Sequence, residues 1–203
     1  MTIYEPGTSA TTLILLHGTG GSEHDLIPIA KFLAPDAARL AIGGRVREND
    51  QARYFAHSAD GGFDLTDAKR QATWLIGELT KLLTTYQRDP QHAMVLGYSN
   101  GANLAAYAML HQAVPWQDAM LLHPVAISPQ QPTRRLVNRR IWLTHGSGDP
   151  YSTKENFALL QTQFTQAFAA VATYSHRRGH ALIKAELNAT SRWLKTILEE
   201  DTK

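Results

Sequence analysis

The chain has 203 residues, of which 43% are hydrophobic and 19% charged, and its formal net charge is +2. These proportions exclude a disordered chain, and the dispersed positive charge gives no reason to expect a nucleic-acid partner. The sequence contains no cysteine, which excludes disulfides and thiolate chemistry and fits a cytoplasmic protein. The longest apolar run near the N terminus, residues 13–16, is too short to span a membrane. We therefore expect one domain over residues 1–203.

Short apolar runs alternate with amphipathic stretches along the chain. The apolar runs predict strands at residues 13–16, 39–42, 93–96, 119–122, 141–144 and 170–174. Apolar periodicity predicts five helices. The first runs from a capping box at Ser22 to residue 33, a later one follows a second capping box at 152–155, and the others cover 67–87, 102–110 and 182–198. This alternation, with continuously apolar strands, predicts a mostly parallel central sheet with helices on both faces. Ligands of such sheets bind at the carboxyl ends of the strands, so the strand-to-helix loops are the candidate site.

One of these loops, GYSNG at residues 97–101, places a serine between two glycines. Between a strand and a helix, this pattern is typical of a nucleophile elbow, in which the serine sits at the tip of a sharp turn. A plain tight turn is the alternative for a five-residue pattern, but the strand and helix on either side favour the elbow. Ser99 is therefore the candidate nucleophile.

A serine hydroxyl needs a general base, and the base needs a group that fixes its tautomer. In elbow-type enzymes these follow the serine in the order acid, then histidine. Asp149 comes just after the strand at 141–144, whereas Asp118 precedes its strand and belongs to the opposite edge of the sheet. His180, in the loop RRGHAL, is the expected base, and His176 near the end of the last strand is the alternative. We expect Ser99, Asp149 and His180 to be catalytic.

The developing oxyanion needs hydrogen-bond donors. One is expected from the backbone N–H of Asn100, directly after the nucleophile, and the other from the N–H of Thr19 in the glycine-rich loop HGTGG. A phosphate-binding loop is the alternative for HGTGG, but no Lys-Ser/Thr follows it, and Glu23 stands where the third glycine of a dinucleotide-binding pattern would be. His17 is expected to hold this loop by hydrogen bonds.

Two long loops, at residues 43–64 and 123–135, are expected to form the walls of an open pocket. The substrate-binding candidates are Tyr54, Phe63, Tyr98 and Val125. For Phe55 and Phe63 a role as anchors of the loop is equally compatible with the sequence. For Arg45 and Arg47 the sequence allows two roles, contact with an acidic group of the substrate or pairing with nearby acidic residues. The nine histidines include no H-E-x-x-H pattern, so we expect no metal and no cofactor.

Four blocks carry a resemblance to a known family: LILLHGTGGSEHDL at 13–26, VLGYSNGANLA at 95–105, LTHGSGDPYS at 143–152 and RRGHAL at 177–182. In order and spacing the chain resembles the α/β-hydrolase superfamily, and within it the small carboxylesterase/phospholipase group related to acyl-protein thioesterases and dienelactone hydrolases. The resemblance implies a compact, nearly lidless α/β-hydrolase fold with the same catalytic triad and oxyanion hole. The acyl-protein thioesterases have glutamine after the serine, where this chain has Asn100, which weakens the case for a narrow thioesterase specificity.

The expected activity is hydrolysis of small-to-medium carboxylic esters through an acyl-enzyme intermediate, without cofactor or metal. The alternatives are a thioesterase or lactone hydrolase, other cofactor-free chemistry on the same fold, and a non-catalytic binding module. The expected partner is a small ester, with no nucleic acid and no membrane span, and a homodimer is left open.

Overall fold

The computed structural model describes residues 1–200, which contain nine strands and five α-helices. The strands are β1 (Thr2–Glu5), β2 (Thr12–Leu16), β3 (Ala38–Ile42), β4 (Val46–Glu48), β5 (Gln51–Arg53), β6 (Ala93–Tyr98), β7 (Asp118–Leu122), β8 (Arg140–Gly146) and β9 (Ala170–His176). The helices are α1 (Ile27–Leu33), α2 (Leu65–Thr85), α3 (Asn100–His111), α4 (Lys154–Gln166) and α5 (Lys184–Glu200). Residues 201–203 of the expected domain lie outside the described residues.

Seven strands form one sheet in the order β1-β3-β2-β6-β7-β8-β9. Every neighbouring pair is parallel except β1 and β3, which pair antiparallel with Thr2 opposite Ile42. The mostly parallel sheet is as expected from the apolar runs. Because the parallel strands point the same way, the loops after β2, β6, β7, β8 and β9 meet along one edge.

Helices cover both faces of this sheet. The side chains of each inner strand alternate between two apolar clusters, so that Ile14 faces one and Leu15 the other. One cluster is closed by α2, α3 and α4, and the second by α1 and α5. None of the helices within residues 1–200 is long and apolar enough to cross a membrane.

Four local features differ from the expectations. The edge strand β1 and the hairpin of β4 and β5 were not predicted. Helix α1 begins at Ile27 and not after Ser22, because the Ser22 hydroxyl bonds to the side chain of Asp25 in a preceding turn and the helix has no side-chain cap. Helix α2 is capped by Asp64, whose carboxylate accepts from the N–H of Asp67, so the helix starts slightly earlier than expected.

Candidate active site

The edge where the parallel strands end gathers the side chains expected to be catalytic. Ser99 directly follows β6, Asp149 follows β8 by three residues, and His180 follows β9 by four. The neighbouring order of β6, β7, β8 and β9 in the sheet brings these loops together. The parallel arrangement therefore places three residues that are distant in sequence at one site.

Ser99 lies in a strained turn between β6 and α3. Its φ of 51° is in the left-handed region, which non-glycine residues rarely adopt, and its N–H donates to the carbonyl of Leu122. A Cβ on Gly97 would lie 2.7 Å from the Cα of Ala102, and one on Gly101 would lie 2.6 Å from the carbonyl oxygen of His17. The two glycines therefore allow strand and helix to pass close to each other, as the pattern GYSNG indicated.

Ser99, His180 and Asp149 form a continuous hydrogen-bonded chain. The Ser99 Oγ lies 2.8 Å from Nε2 of His180, and Nδ1 of His180 lies 2.6 Å from Oδ2 of Asp149. With the Nδ1 proton donated to Asp149, Nε2 is free to accept the proton of the serine hydroxyl. The three side chains are therefore linked by hydrogen bonds in the order serine, histidine, aspartate.

The carboxylate of Asp149 is held by three donors. Oδ1 accepts from the N–H of Tyr151, and Oδ2 faces both His180 and His123. Burial alone would raise the pKa of Asp149, but these hydrogen bonds outweigh burial and lower it. Asp149 therefore stays ionised beside the imidazole of His180.

Asp118 and His176, the alternatives considered from the sequence, lie away from the serine. Asp118 begins β7 at the opposite edge of the sheet, where Arg140 lies 2.6 Å from its carboxylate. The Nε2 of His176 lies 3.3 Å from the carboxylate of Glu186, and Nδ1 of the same ring accepts from the N–H of Arg178. Both ring nitrogens of His176 are therefore directed at other groups.

The loop after β2 is fixed by buried hydrogen bonds. The Nε2 of His17 accepts from the N–H of Gly44, and Nδ1 lies 2.6 Å from the carbonyl of Gly18. The hydroxyl of Tyr54 accepts from the N–H of His17 and donates to the carbonyl of Ile42. His17 thus holds the loop, as expected.

Two backbone N–H groups border the serine. Thr19 lines the same cleft as Ser99, and Asn100 is the first residue of α3, where helical N–H groups lack an intrahelical partner. Among residues 1–200, neither of these N–H groups takes part in a backbone hydrogen bond. The amide side chain of Asn100 is used differently, because its Oδ1 accepts from the N–H of Tyr54. Both donors can therefore serve an incoming oxygen atom.

A cleft of about 420 Å³ opens in front of Ser99. Three of the four residues expected to contact substrate line it, namely Phe63, Tyr98 and Val125. The expectation for Tyr54 is wrong, because this side chain has no exposed surface and its hydroxyl is committed to the loop after β2. Further cleft residues that were not predicted are Gln51, Arg53, His57, Asn103 and Tyr151.

The arginines left open in the sequence have structural partners. Arg45 donates to the side chain of Gln71 and stacks on the ring of Trp74. Arg47 donates to the carbonyl of Asp50. Neither lines the cleft, whereas Arg53 does, with Glu48 3.2 Å from its guanidinium. Phe55 is fully buried and packs edge-on against Phe63, so it anchors the loop.

This geometry can be set beside known proteins. The sequence is 34% identical to MhqD of Bacillus subtilis (strain 168), which is named as a hydrolase, over 95% of this chain and 96% of that protein. The crystal structure of a Bacillus cereus carboxylesterase is similar with a TM-score of 0.92 and 30% identity, over 96% of this chain and 93% of the other. The structure of YahD with malic acid gives a TM-score of 0.93 and 29% identity, over 97% and 98% of the two chains. No protein-family model matches the sequence.

The chain belongs to the α/β-hydrolase superfamily, in its small carboxylesterase group. It is a carboxylesterase-type hydrolase, and the fold class expected from the sequence is confirmed. As in other α/β-hydrolases, the serine-bearing turn stands at the carboxyl edge of the sheet.

Two residues beside the triad, His123 and Glu186, were not predicted to be functional. Neither side chain has exposed surface; His123 contacts Asp149, and Glu186 contacts His123 from the other side. The position of His123 directly after β7 was a usable signal, since Ser99, Asp149 and His180 also follow strands of this edge. Glu186 carried no such signal, because it lies within a helix.

Proposed function

We propose that this α/β-hydrolase cleaves small-to-medium carboxylic esters in two steps, with Ser99 as the nucleophile. The observation that carries the proposal is the hydrogen-bonded chain from Ser99 through His180 to Asp149, with distances of 2.8 and 2.6 Å. In the first step His180 takes the hydroxyl proton while Ser99 Oγ attacks the carbonyl carbon, and Asp149 stabilises the imidazolium that forms. His180 then gives the proton to the leaving alcohol.

The second step releases the acid. Water enters, His180 takes one of its protons, and the hydroxide attacks the acyl group on Ser99. The serine leaves with the proton from His180, which restores the enzyme. The N–H groups of Thr19 and Asn100 are proposed to hold the oxyanion in both steps, where each donor contributes about 10²–10³ in rate.

The shape of the cleft supports the substrate class. A cleft of about 420 Å³ accommodates a small or medium ester. The cleft has apolar and aromatic surface from Phe63, Tyr98, Val125 and Tyr151, and polar groups from Gln51 and Arg53 beside it. We propose that the apolar and aromatic side chains contact the acyl or aryl part of the substrate. Tyr151 is 70% exposed and its ring stands edge-on to His180, so it borders the entrance.

A fluorophosphonate probe together with p-nitrophenyl acetate, butyrate and octanoate tests the proposal. We expect labelling at Ser99 and turnover that is highest for the shorter esters, and Ser99→Ala should lose both. Labelling with turnover of thioesters or lactones but not of these esters would replace the proposed substrate class. Absence of labelling in the folded protein would contradict a catalytic serine and favour a binding module.

The base is tested with a matched pair of histidines. His180→Ala should reduce kcat/KM by about 10³-fold or more with little change in Tm, because the side chain is partly exposed and acts in the chemistry. His176→Ala is the control, since that ring does not reach Ser99. A large loss in His176→Ala with activity retained in His180→Ala would overturn the assignment.

A further inference from the structure

His123 is an ionisable side chain with no exposed surface, directly behind the triad. Its Nδ1 lies 3.1 Å from Oδ2 of Asp149, the same oxygen that faces Nδ1 of His180. On the other side of the ring, Nε2 lies 3.2 Å from Oε1 and 3.4 Å from Oε2 of Glu186. The ring therefore stands between two buried carboxylates.

Counting hydrogen-bond donors and acceptors favours a charged form of this ring. A neutral imidazole has one N–H donor and one lone pair, so one of its nitrogens would direct a lone pair at a carboxyl oxygen, and that contact is favourable only if the carboxyl group is protonated. Only the imidazolium donates to both neighbours. Burial favours the neutral form of His123, but Glu186 and Asp149 outweigh it and raise the pKa of the ring. Burial would raise the pKa of Glu186, and its hydrogen bonds with His123 and Thr144 lower it.

The surroundings hold the two partners in place. Glu186 lies in the first turn of α5, where the helix dipole favours a carboxylate, and its Oε2 accepts from the N–H of Ile183. The backbone N–H of His123 donates to the hydroxyl of Thr144, and its φ of 51° is a left-handed conformation that is rare outside glycine. Strained backbone at a buried charged residue is a common feature of functional sites.

Other titratable groups also face the ring. His180 lies edge-on with ring centroids 5.3 Å apart, His176 lies at the same distance, and Tyr98 is 6.1 Å away. The Nδ1 of His176 accepts from the N–H of Arg178, and its Nε2 lies 3.3 Å from the carboxylate of Glu186. Of these rings, His123 and His180 are the two that contact Asp149.

We propose that His123 is a positioning residue, an imidazolium held between Asp149 and Glu186 that fixes the Asp149 carboxylate against His180. With Oδ1 bound by the N–H of Tyr151 and Oδ2 by His123, the carboxylate has no freedom to turn away. The inference rests on the proposed function, because it assigns a role relative to the Ser99–His180–Asp149 chain.

The first test measures the charge of His123 directly. Long-range ¹H–¹⁵N NMR of the histidine side chains reports whether one or both ring nitrogens carry a proton. We expect His123 to be doubly protonated in the wild type at a pH where activity is full, and neutral in Glu186→Gln. A neutral His123 in the wild type would overturn the inference, whatever the catalytic activity.

The second test uses kinetics. Glu186→Gln keeps the shape of the site but removes the reason for a charged His123, so kcat should fall with KM nearly unchanged. His123→Gln removes the ring, and kcat should fall by about 10–100-fold with KM nearly unchanged. His176→Gln changes a residue that contacts Glu186 but not Asp149, so it should leave kcat and KM in place. A purely structural role predicts lower stability in the variants, with wild-type kcat and KM at temperatures where they are folded.

The outcomes separate this inference from the proposed function. If the fluorophosphonate probe does not label Ser99, the proposed function fails, and the NMR result on His123 still decides its charge. If Ser99 is labelled and the kcat of Glu186→Gln is unchanged, the positioning role fails alone. Elemental analysis provides one more outcome. A stoichiometric metal ion that is lost in both His123→Gln and Glu186→Gln would also overturn the positioning role, because a metal would then take the place of the proton between the two side chains.

Discussion

Replacing Gly101 with alanine tests the close approach on which the nucleophile turn depends. The new Cβ would lie 2.6 Å from the carbonyl oxygen of His17 and against the carbonyl of Leu16, whereas ordinary contacts begin at 3.4 Å. Because these are backbone atoms, β2 and α3 must separate, by roughly 1 Å in a close-packed interior. Overpacking of this kind costs about 1–3 kcal/mol, and loss of the hydrogen bond from Gly101 N–H to His17 adds about 1 kcal/mol. We expect a total destabilisation of about 3 kcal/mol.

The same substitution at Gly77 is the matched control. Gly77 lies within α2 and has no atom within 4 Å of the added Cβ, so alanine there should stabilise the helix by about 1 kcal/mol. Each kcal/mol moves Tm by about 2–4 °C in a protein of this size. Gly77→Ala should therefore raise Tm by about 2–4 °C, and Gly101→Ala should lower it by about 6–12 °C.

Activity distinguishes a displaced turn from general destabilisation. A shift of about 1 Å at the start of α3 moves Ser99 and the N–H of Asn100 together, and should reduce kcat/KM by about 100-fold at temperatures where the variant is folded. Circular dichroism melts and p-nitrophenyl acetate hydrolysis provide the two readouts. A Gly101→Ala protein that melts with the wild type, or that keeps full kcat/KM, would refute the reasoning from close approach.

Three further substitutions address the loop network, the acid stability and the cleft. Tyr54→Phe leaves the buried N–H of His17 without an acceptor, so it should lower the free energy of unfolding by about 1–3 kcal/mol in urea titrations and also lower kcat. Burial would raise the pKa of Asp67, but hydrogen bonds, first among them the one from the N–H of Ala56, lower it below 3.8. The ionised Asp67 therefore stabilises the folded protein above that pH, and this stabilisation is lost as the pH falls through the pKa of Asp67 in the folded state. Asp67→Asn should therefore flatten the decline in stability below about pH 4, and an unchanged decline would contradict this. Tyr151→Ala removes the exposed ring at the cleft entrance and should raise KM for aryl esters more than for alkyl esters, while kcat is kept. Equal effects on aryl and alkyl esters would argue against a contact.

The hydrogen-bonded chain of Ser99, His180 and Asp149 was predictable because each of its members follows a strand. The apolar runs placed the ends of β6, β8 and β9 to within two residues, and parallel pairing then required Ser99, Asp149 and His180 to meet at one edge. The same rule separated Asp149 from Asp118, because one follows its strand and the other begins it. The position of each residue relative to its strand was thus sufficient, without any knowledge of side-chain contacts.

The support behind the triad was not predictable in this way. Glu186 occupies an ordinary position in the first turn of α5, and its sequence neighbours suggest only a helix start. Its contact with His123 depends on where α5 packs against the sheet, which apolar periodicity does not determine. Tyr54 was misplaced for a related reason, because its loop has no periodicity and the sequence does not say which aromatic side chain turns inward.

The cleft wall depends on a hairpin whose signal was present in the sequence. Asn49 and Asp50 both have positive φ, the conformation of the tight turn that joins antiparallel strands, and asparagine and aspartate adopt it readily. The hairpin is attached to the loop after β2, because the N–H of Gly20 donates to the carbonyl of Ala52. This bond places Gln51 and Arg53 on either side of Ala52 beside the proposed oxyanion donor Thr19. Changes in this hairpin should therefore alter substrate preference and oxyanion geometry together, whereas changes at Tyr151, on the opposite loop, should alter preference alone.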